Sequence, residues 1–190
     1  MRVTEIFFSV QGEGTRAGRP CVFVRFTGCD LRCGYCDTEY AFYGGTTMSR
    51  EAILAEVAKH PSRFVMLTGG EPLLQKELPE LTRELLALGY EVAIETHGQR
   101  SLDALPLEAI RIVDVKTPDS GEVTTDLDYL KWLEAHDEVK FVVCSRADFE
   151  WSREVIRRHN LEESVAAVLM SPSHGSVDAK DLAAWVLESG

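Results

Sequence analysis

Six short runs rich in Val and Ile, separated by stretches of helical spacing, limit this chain to a parallel α/β fold. The runs are 21–27, 63–68, 91–96, 111–116, 139–144 and 165–170. Each is apolar with little strict alternation, as strands covered on both faces are. Ser49 predicts the N-cap of a first helix carrying Glu51, Ile53, Leu54 and Val57. Within 75–88, Leu78, Leu81, Leu85 and Leu88 recur at helical spacing, and Gly89 supplies the stop. Leu127, Leu130 and Leu133 predict a third helix, Phe149, Val155 and Ile156 a fourth, and Leu182, Ala183, Val186 and Leu187 a fifth. This alternation implies a parallel sheet with right-handed crossovers. About six strands predict a partial, open β/α barrel rather than a closed eightfold one. With 190 residues and no linker, repeat or low-complexity segment, 1–190 reads as a single domain.

The unusual residues gather where the strands end, the place at which parallel α/β folds hold their ligands. Strand 21–27 runs into Gly28-Cys29, and 63–68 into Gly69-Gly70-Glu71-Pro72. Strand 91–96 ends on Glu95-Thr96-His97-Gly98, and 111–116 on Asp114-Val115-Lys116. The last two lead to Ser145 and to Ser171-Pro172-Ser173-His174. One rim therefore receives a polar or glycine segment from every strand.

Charge narrows the partners. Against 20 Lys and Arg stand 31 Asp and Glu, a formal charge of −11, and the basic residues are scattered. Binding of a large nucleic acid needs a cluster of phosphate-neutralising cations, which is missing. No run approaches the ~20 apolar residues that span a bilayer. With no export signal and five cysteines, an odd number, the expected location is the reducing cytoplasm, where a cysteine cluster does not read as disulfides.

Cys29, Cys33 and Cys36 stand close enough for either an iron–sulfur cluster or zinc. A structural zinc needs a fourth ligand. Cys21 lies inside a strand and Cys144 reads as a small buried strand residue, so neither completes a second pair. Three thiolates suit a 4Fe-4S cluster with one iron left open.

Cys-x3-Cys-x2-Cys after the first barrel strand, Tyr35 before the last cysteine, and Gly69-Gly70-Glu71-Pro72 after the second strand resemble the radical S-adenosylmethionine superfamily. Phe8-Ser9-Val10-Gln11-Gly12-Glu13-Gly14, Gly18-Arg19-Pro20, the stretch from Phe23 to Cys33, Cys36-Asp37-Thr38, Thr68 to Pro72 and Glu95 to Gly98 narrow this. Over nearly its full length the chain resembles the 7-carboxy-7-deazaguanine synthase family. The resemblance implies ring contraction of 6-carboxy-5,6,7,8-tetrahydropterin to 7-carboxy-7-deazaguanine with loss of ammonia. It places this step in the pathway that leads to queuosine in tRNA. By the same resemblance, a radical made from S-adenosylmethionine is expected to take a hydrogen from substrate C6, the protein supplying orientation and exclusion of water rather than a catalytic acid or base.

The same resemblance implies the ligand sets. Cys29, Cys33 and Cys36 hold the cluster and Thr38 a Mg2+ ion. Tyr35, Gly70, Glu71, Glu95, Thr96, Asp114, Lys116, Ser171, Pro172, Ser173 and His174 bind S-adenosylmethionine. Val10, Gln11, Gly12, Glu13, Arg25 and Thr68 bind the pterin. A flavodoxin- or ferredoxin-type reductant and a homodimer are implied as well. Relatives usually carry a further C-terminal strand with a Gln-x-His-Lys-like segment, and the sequence up to Glu188-Ser189-Gly190 has none.

Each assignment has a plainer alternative. Gln11 and Glu13 also make a polar turn between Gly12 and Gly14, Arg25 a structural ion pair, and Thr38 a backbone cap. Asp114, Lys116 and 171–174 also suit an ordinary polar rim. His97 and His174 are either acids or simply solvated. Two rival classes are a glycyl-radical activating enzyme, which the Gln11–Gly14 segment and Arg25 oppose, and a zinc-binding interaction module, which Gly69–Pro72 on a parallel sheet opposes.

Overall fold

Side chains two apart along a strand point the same way, and here that alternation gives the sheet two unlike faces. The computed structural model describes residues 1–122 and 126–189. Its strands are β1 (Arg2–Val10), β2 (Pro20–Phe26), β3 (Thr46–Thr47), β4 (Phe64–Gly69), β5 (Glu91–Thr96), β6 (Ile110–Val115), β7 (Glu138–Val143) and β8 (Ala167–Pro172). They form one open sheet ordered β3-β1-β2-β4-β5-β6-β7-β8. The six expected strands are present and run parallel from β2 to β8. Two further strands, β1 and β3, extend the sheet antiparallel at one edge.

One face carries Val22, Val24, Val65, Leu67, Val92, Ile94, Val113, Val139 and Phe141 into the main core. Helices α1 (Arg50–Val57), α2 (Leu78–Ala87), α3 (Arg146–His159) and α4 (Leu161–Ser164) supply the other half through Ile53, Leu78, Leu81, Leu85, Val155 and Leu161. The final helix α5 (Ala179–Ser189) packs Leu182 with Val143 and Phe149 in a smaller cluster. Ser49 caps α1 by accepting a bond from the Ala52 N–H at 3.3 Å. Helix α2 stops where expected: Gly89 takes φ +81, and the Tyr90 N–H reaches back to the Leu85 carbonyl at 3.1 Å.

The opposite, inner face is apolar only where the strands begin. Cys21, Phe23, Phe64, Met66, Ala93, Ile110 and Ile112 form its apolar base. The next inward positions are Arg25, Thr68, Glu95, Asp114 and Lys140, which line a cavity. The expected absence of alternation is thus corrected: the strands alternate, and their inner face turns polar toward the carboxyl end.

Two helix expectations are also corrected. Asp128–Trp132 is a 3-10 segment, not an α-helix, although Leu130 and Leu133 are buried as its spacing required. The β5–β6 connection, 97–109, contains no helix, so strand–helix alternation lapses there. Cys144 lies just beyond β7 and is half-buried.

Leu81 is fully buried and Leu187 is 84% exposed. Leu81→Ala should cost about 2–5 kcal/mol in urea unfolding, whereas Leu187→Ala should stay within about 0.5 kcal/mol of the parent.

Candidate active site

The cysteine loop takes its position from backbone rather than side chains. At the end of β4, Gly69 adopts φ +146, and a Cβ there would lie 2.3 Å from the Phe26 carbonyl oxygen. A Cβ on Gly70 would lie 2.1 Å from the Gly28 carbonyl oxygen and 3.0 Å from the Cys29 Cβ. Only glycine permits this approach. The contact is sealed by the Gly70 N–H on the Phe26 carbonyl at 3.2 Å and the Glu71 N–H on the Gly28 carbonyl at 2.7 Å.

Two further contacts pin the same loop. The Gly34 N–H donates to the Ser120 carbonyl at 2.8 Å. Asp30 accepts from Arg100 at 2.8 Å and lies 3.0 Å from the His97 Nε2. His97 is buried, its Nδ1 accepting from the Gln99 N–H at 3.1 Å, so the ring proton sits on Nε2. The expectation of a solvated rim histidine is therefore corrected for His97, while His174 is exposed and lines the cavity.

Glu71 proves to be a brace. It is fully buried, and its oxygens accept from the Thr96 hydroxyl at 2.8 and 2.9 Å, the His97 N–H at 3.0 Å and the Leu73 N–H at 2.8 Å. Its carboxylate ties the ends of β4 and β5 together and does not line the cavity. Val10 and Gly12 do not line it either, and Val10 is 58% exposed.

The remaining expected residues do converge. The cavity has a volume of about 420 Å3 and is lined by all three loop cysteines, Tyr35, Thr38, Gly70, Glu95, Thr96, Asp114, Lys116 and 171–174. Gln11, Glu13, Arg25 and Thr68 complete the opposite wall. Arg25 donates from Nε to Glu5 at 2.8 Å and lies over the rings of Phe7 and Tyr40. It therefore makes the ion pair of the plainer alternative, yet no described residue bonds its two terminal nitrogens. The Thr38 hydroxyl donates to Asp37 at 2.7 Å and caps no backbone group. Gln11 accepts from the Glu13 N–H at 3.2 Å, as a turn residue would, and still faces the cavity.

Sequence reasoning missed the charged groups that organise this wall. The ammonium of Lys140 lies 2.8 Å from both Glu13 and Glu95 and 3.9 Å from Asp114. Burial disfavours that charge, but Glu95, Asp114 and Glu13 together hold the amine protonated well above its ordinary range. Below it, fully buried Glu138 accepts from the Thr15 hydroxyl at 2.5 Å and from Arg16 at 2.6 Å, anchoring the 11–19 loop across the base of the sheet. Fully buried Asp148 at the start of α3 collects the N–H groups of Asp119 and Cys144 and the Thr117 hydroxyl. A Lys inside the apolar run 139–144 was the available signal for Lys140, and Glu138 stands just before that run.

The donor sets fit the implied groups. Burial pushes the Cys29 and Cys33 thiols up, and a bound metal's charge would favour their thiolate forms. The fourth and fifth cysteines are elsewhere: Cys21 is fully buried with its thiol pushed up to about 12, and Cys144 does not line the cavity. Three ligands to a cluster with an open iron match this set. Asp114 Oδ1 and the Tyr35 hydroxyl are buried without partners, while Lys116 lies 2.9 Å from Asp114 Oδ2 and 5.5 Å from the Tyr35 ring centre. Buried orphans of this kind call for a polar ligand such as S-adenosylmethionine. Thr38 beside Asp37 offers the oxygen donors that Mg2+ takes.

Comparison with known proteins agrees with this geometry. Residues 23–176 match the family model of the Radical SAM superfamily. A 7-carboxy-7-deazaguanine synthase from Koribacter versatilis is 49% identical, the match covering 99% of this chain and 90% of that one. Another from Methanospirillum hungatei is 40% identical over 98% of this chain and 78% of its own length. The crystal structure of QueE from Escherichia coli shares the fold, with a TM-score of 0.81 at 24% identity and coverage of 99% and 90%. So does Streptococcus suis SuiB bound to S-adenosylmethionine, at a TM-score of 0.61 and 13% identity, covering 86% of this chain and 42% of that one.

Because backbone cannot yield as a side chain can, Gly70→Ala should lose most of its iron on anaerobic reconstitution while keeping the parent's far-UV circular dichroism. Cys21→Ala should retain about four irons per chain. Full iron in Gly70→Ala would remove the backbone contact as the seat of the loop.

Proposed function

The chain belongs to the 7-carboxy-7-deazaguanine synthase family of the radical SAM superfamily, and from that membership we propose how its rim residues divide the work. The activity is the ring contraction of 6-carboxy-5,6,7,8-tetrahydropterin to 7-carboxy-7-deazaguanine with loss of ammonia, in queuosine biosynthesis. Its cofactors are a 4Fe-4S cluster, S-adenosylmethionine and Mg2+.

The observation that carries the division of labour is that three cysteines, Arg25 and Asp114, whose carboxylate keeps one buried oxygen without a partner, line one cavity. Cys29, Cys33 and Cys36 hold the cluster at the loop end. When bound, cluster and S-adenosylmethionine supply one electron and a carbon radical able to take a hydrogen atom. Asp114 and Lys116 grip the polar part of S-adenosylmethionine, Asp114 through its unpartnered Oδ1 and Lys116 by charge. Tyr35, Thr96, Ser171, Pro172, Ser173 and His174 close around it. Glu71 serves by fixing the β4 and β5 ends, since its carboxylate is already fully engaged.

On the other wall Arg25 takes the substrate carboxylate. Glu5 aligns the guanidinium through Nε, leaving the terminal nitrogens for a paired contact. Thr38 commits its proton to Asp37, so its lone pairs remain for Mg2+. Gln11, Glu13 and Thr68 meet the ring edge. The rest of the cavity excludes water from the reacting carbon.

The reading includes a flavodoxin- or ferredoxin-type reductant, since the chemistry consumes single electrons and no described residue supplies them. It includes a homodimer, favoured by the exposed Phe8 and Val10 on β1. It includes a cytoplasmic location, favoured by unpaired cysteines that line the cavity; among the described residues no helix is long and apolar enough to cross a membrane.

Arg25→Ala should raise KM for the tetrahydropterin by about tenfold or more, with S-adenosylmethionine affinity unchanged in calorimetry. Thr38→Ala should lose most of the Mg2+ activation of product formation while keeping the visible cluster absorbance. Unchanged product formation in both variants would place the substrate elsewhere on the rim.

A further inference from the structure

Lys140 has no part in the division of labour above, although it stands at the centre of the substrate wall. Its side chain is 9% exposed on the inner face of β7, between Val139 and Phe141, which point to the helices. The groups facing its ammonium are Glu13 from the 11–19 loop, Glu95 from β5 and Asp114 from β6. Lys116 neutralises Asp114 at 2.9 Å, and Glu138, one turn of the pleat away from the cavity, is engaged by Thr15 and Arg16.

Two of these contacts differ in kind. Glu95 belongs to a central strand and is itself held by the Thr68 hydroxyl at 3.3 Å. Its charge is opposed by burial but kept below the ordinary carboxylate range by the ammonium of Lys140, with help from Lys116. Glu13 belongs to a loop and its side chain is 61% exposed. A glutamate so exposed samples many rotamers unless something fixes it. Lys140 binds only Glu13 Oε2, so Oε1 is left as an acceptor on a residue that lines the cavity. The ammonium thus bridges a rigid anchor in the sheet to the one carboxylate on the substrate loop.

We propose that Lys140 is a positioning residue that sets substrate specificity, holding the Glu13 carboxylate where it accepts from the exocyclic 2-amino group of the ring. The proposal rests on the pterin reading of the site, because it needs a ring edge that donates hydrogen bonds. It explains why an ammonium is buried beside three carboxylates when a neutral residue would fill β7 at lower desolvation cost.

The test uses cluster-loaded protein with S-adenosylmethionine and no reductant. Dissociation constants are measured for the carboxytetrahydropterin and for an analogue lacking the 2-amino group. Wild type should bind the analogue about tenfold or more weakly, since a hydrogen bond to a charged group is lost. Lys140→Met should bind the pterin about tenfold more weakly and discriminate less than about threefold between the two ligands, with S-adenosylmethionine affinity unchanged. Lys140→Arg should restore most of the discrimination, and Glu13→Gln combined with Lys140→Met should be no worse than Lys140→Met alone. If Lys140→Met fails to fold, Lys140→Gln carries the same measurement. Full discrimination in the uncharged variant, or equal weakening of both ligands and S-adenosylmethionine, would overturn the proposal. A wild type that binds neither pterin would instead sink the functional reading itself.

Discussion

The close approach of Gly69 and Gly70 to Phe26 and Gly28 decides where three thiols can stand, because it sets the first residue of their loop against the end of the neighbouring strand. With no Cβ in the way, β4 and the loop after β2 share backbone hydrogen bonds beyond the point where the sheet ends. Glu71 then carries the same rigidity sideways to Thr96 and His97, and His97 returns it to the loop at Asp30. The result is a closed circuit of contacts around the cysteines. Glycines read in the sequence as places where a ligand comes near are equally places where the protein comes near itself.

Charge arranges the rest of the cavity. Arg25, Lys116 and Lys140 face Glu5, Asp114, Glu13 and Glu95 across a surface only partly open to water, and no cation there lacks a carboxylate. Buried ion pairs of this kind stabilise little in net. Their value is directional. They fix which oxygen or nitrogen of each group is left over for a ligand. The loop from Gln11 to Arg19 depends on the same device, being tied to the strand bases through Glu138 and Glu91.

Much of this was legible in the sequence. The six parallel strands, the caps at Ser49 and Gly89, and the convergence of strand ends follow from local pattern and from general rules of α/β folds. What escaped depended on long-range partners. β1 was invisible because its pairing partner, β2, was itself read as the first strand. The 127–133 segment has helical spacing but ends after Trp132, where Leu133 turns extended. Lys140 was absorbed into the apolar run 139–144 and Glu138 lies just before it, and a window of five or six residues does not reveal partners about 125 positions away, as far apart as Glu13 and Lys140. Glu71 looked like a ligand contact for the converse reason: a motif shows which residues stand together, not which way a side chain turns.

The central claim is that this cavity directs a radical at the pterin ring rather than at a protein backbone. It is tested most directly by anaerobic turnover with substrate deuterated at C6, under a chemical reductant, with mass analysis of both products. The account predicts 5′-deoxyadenosine carrying deuterium alongside 7-carboxy-7-deazaguanine. Unlabelled 5′-deoxyadenosine with the pterin recovered intact would contradict it.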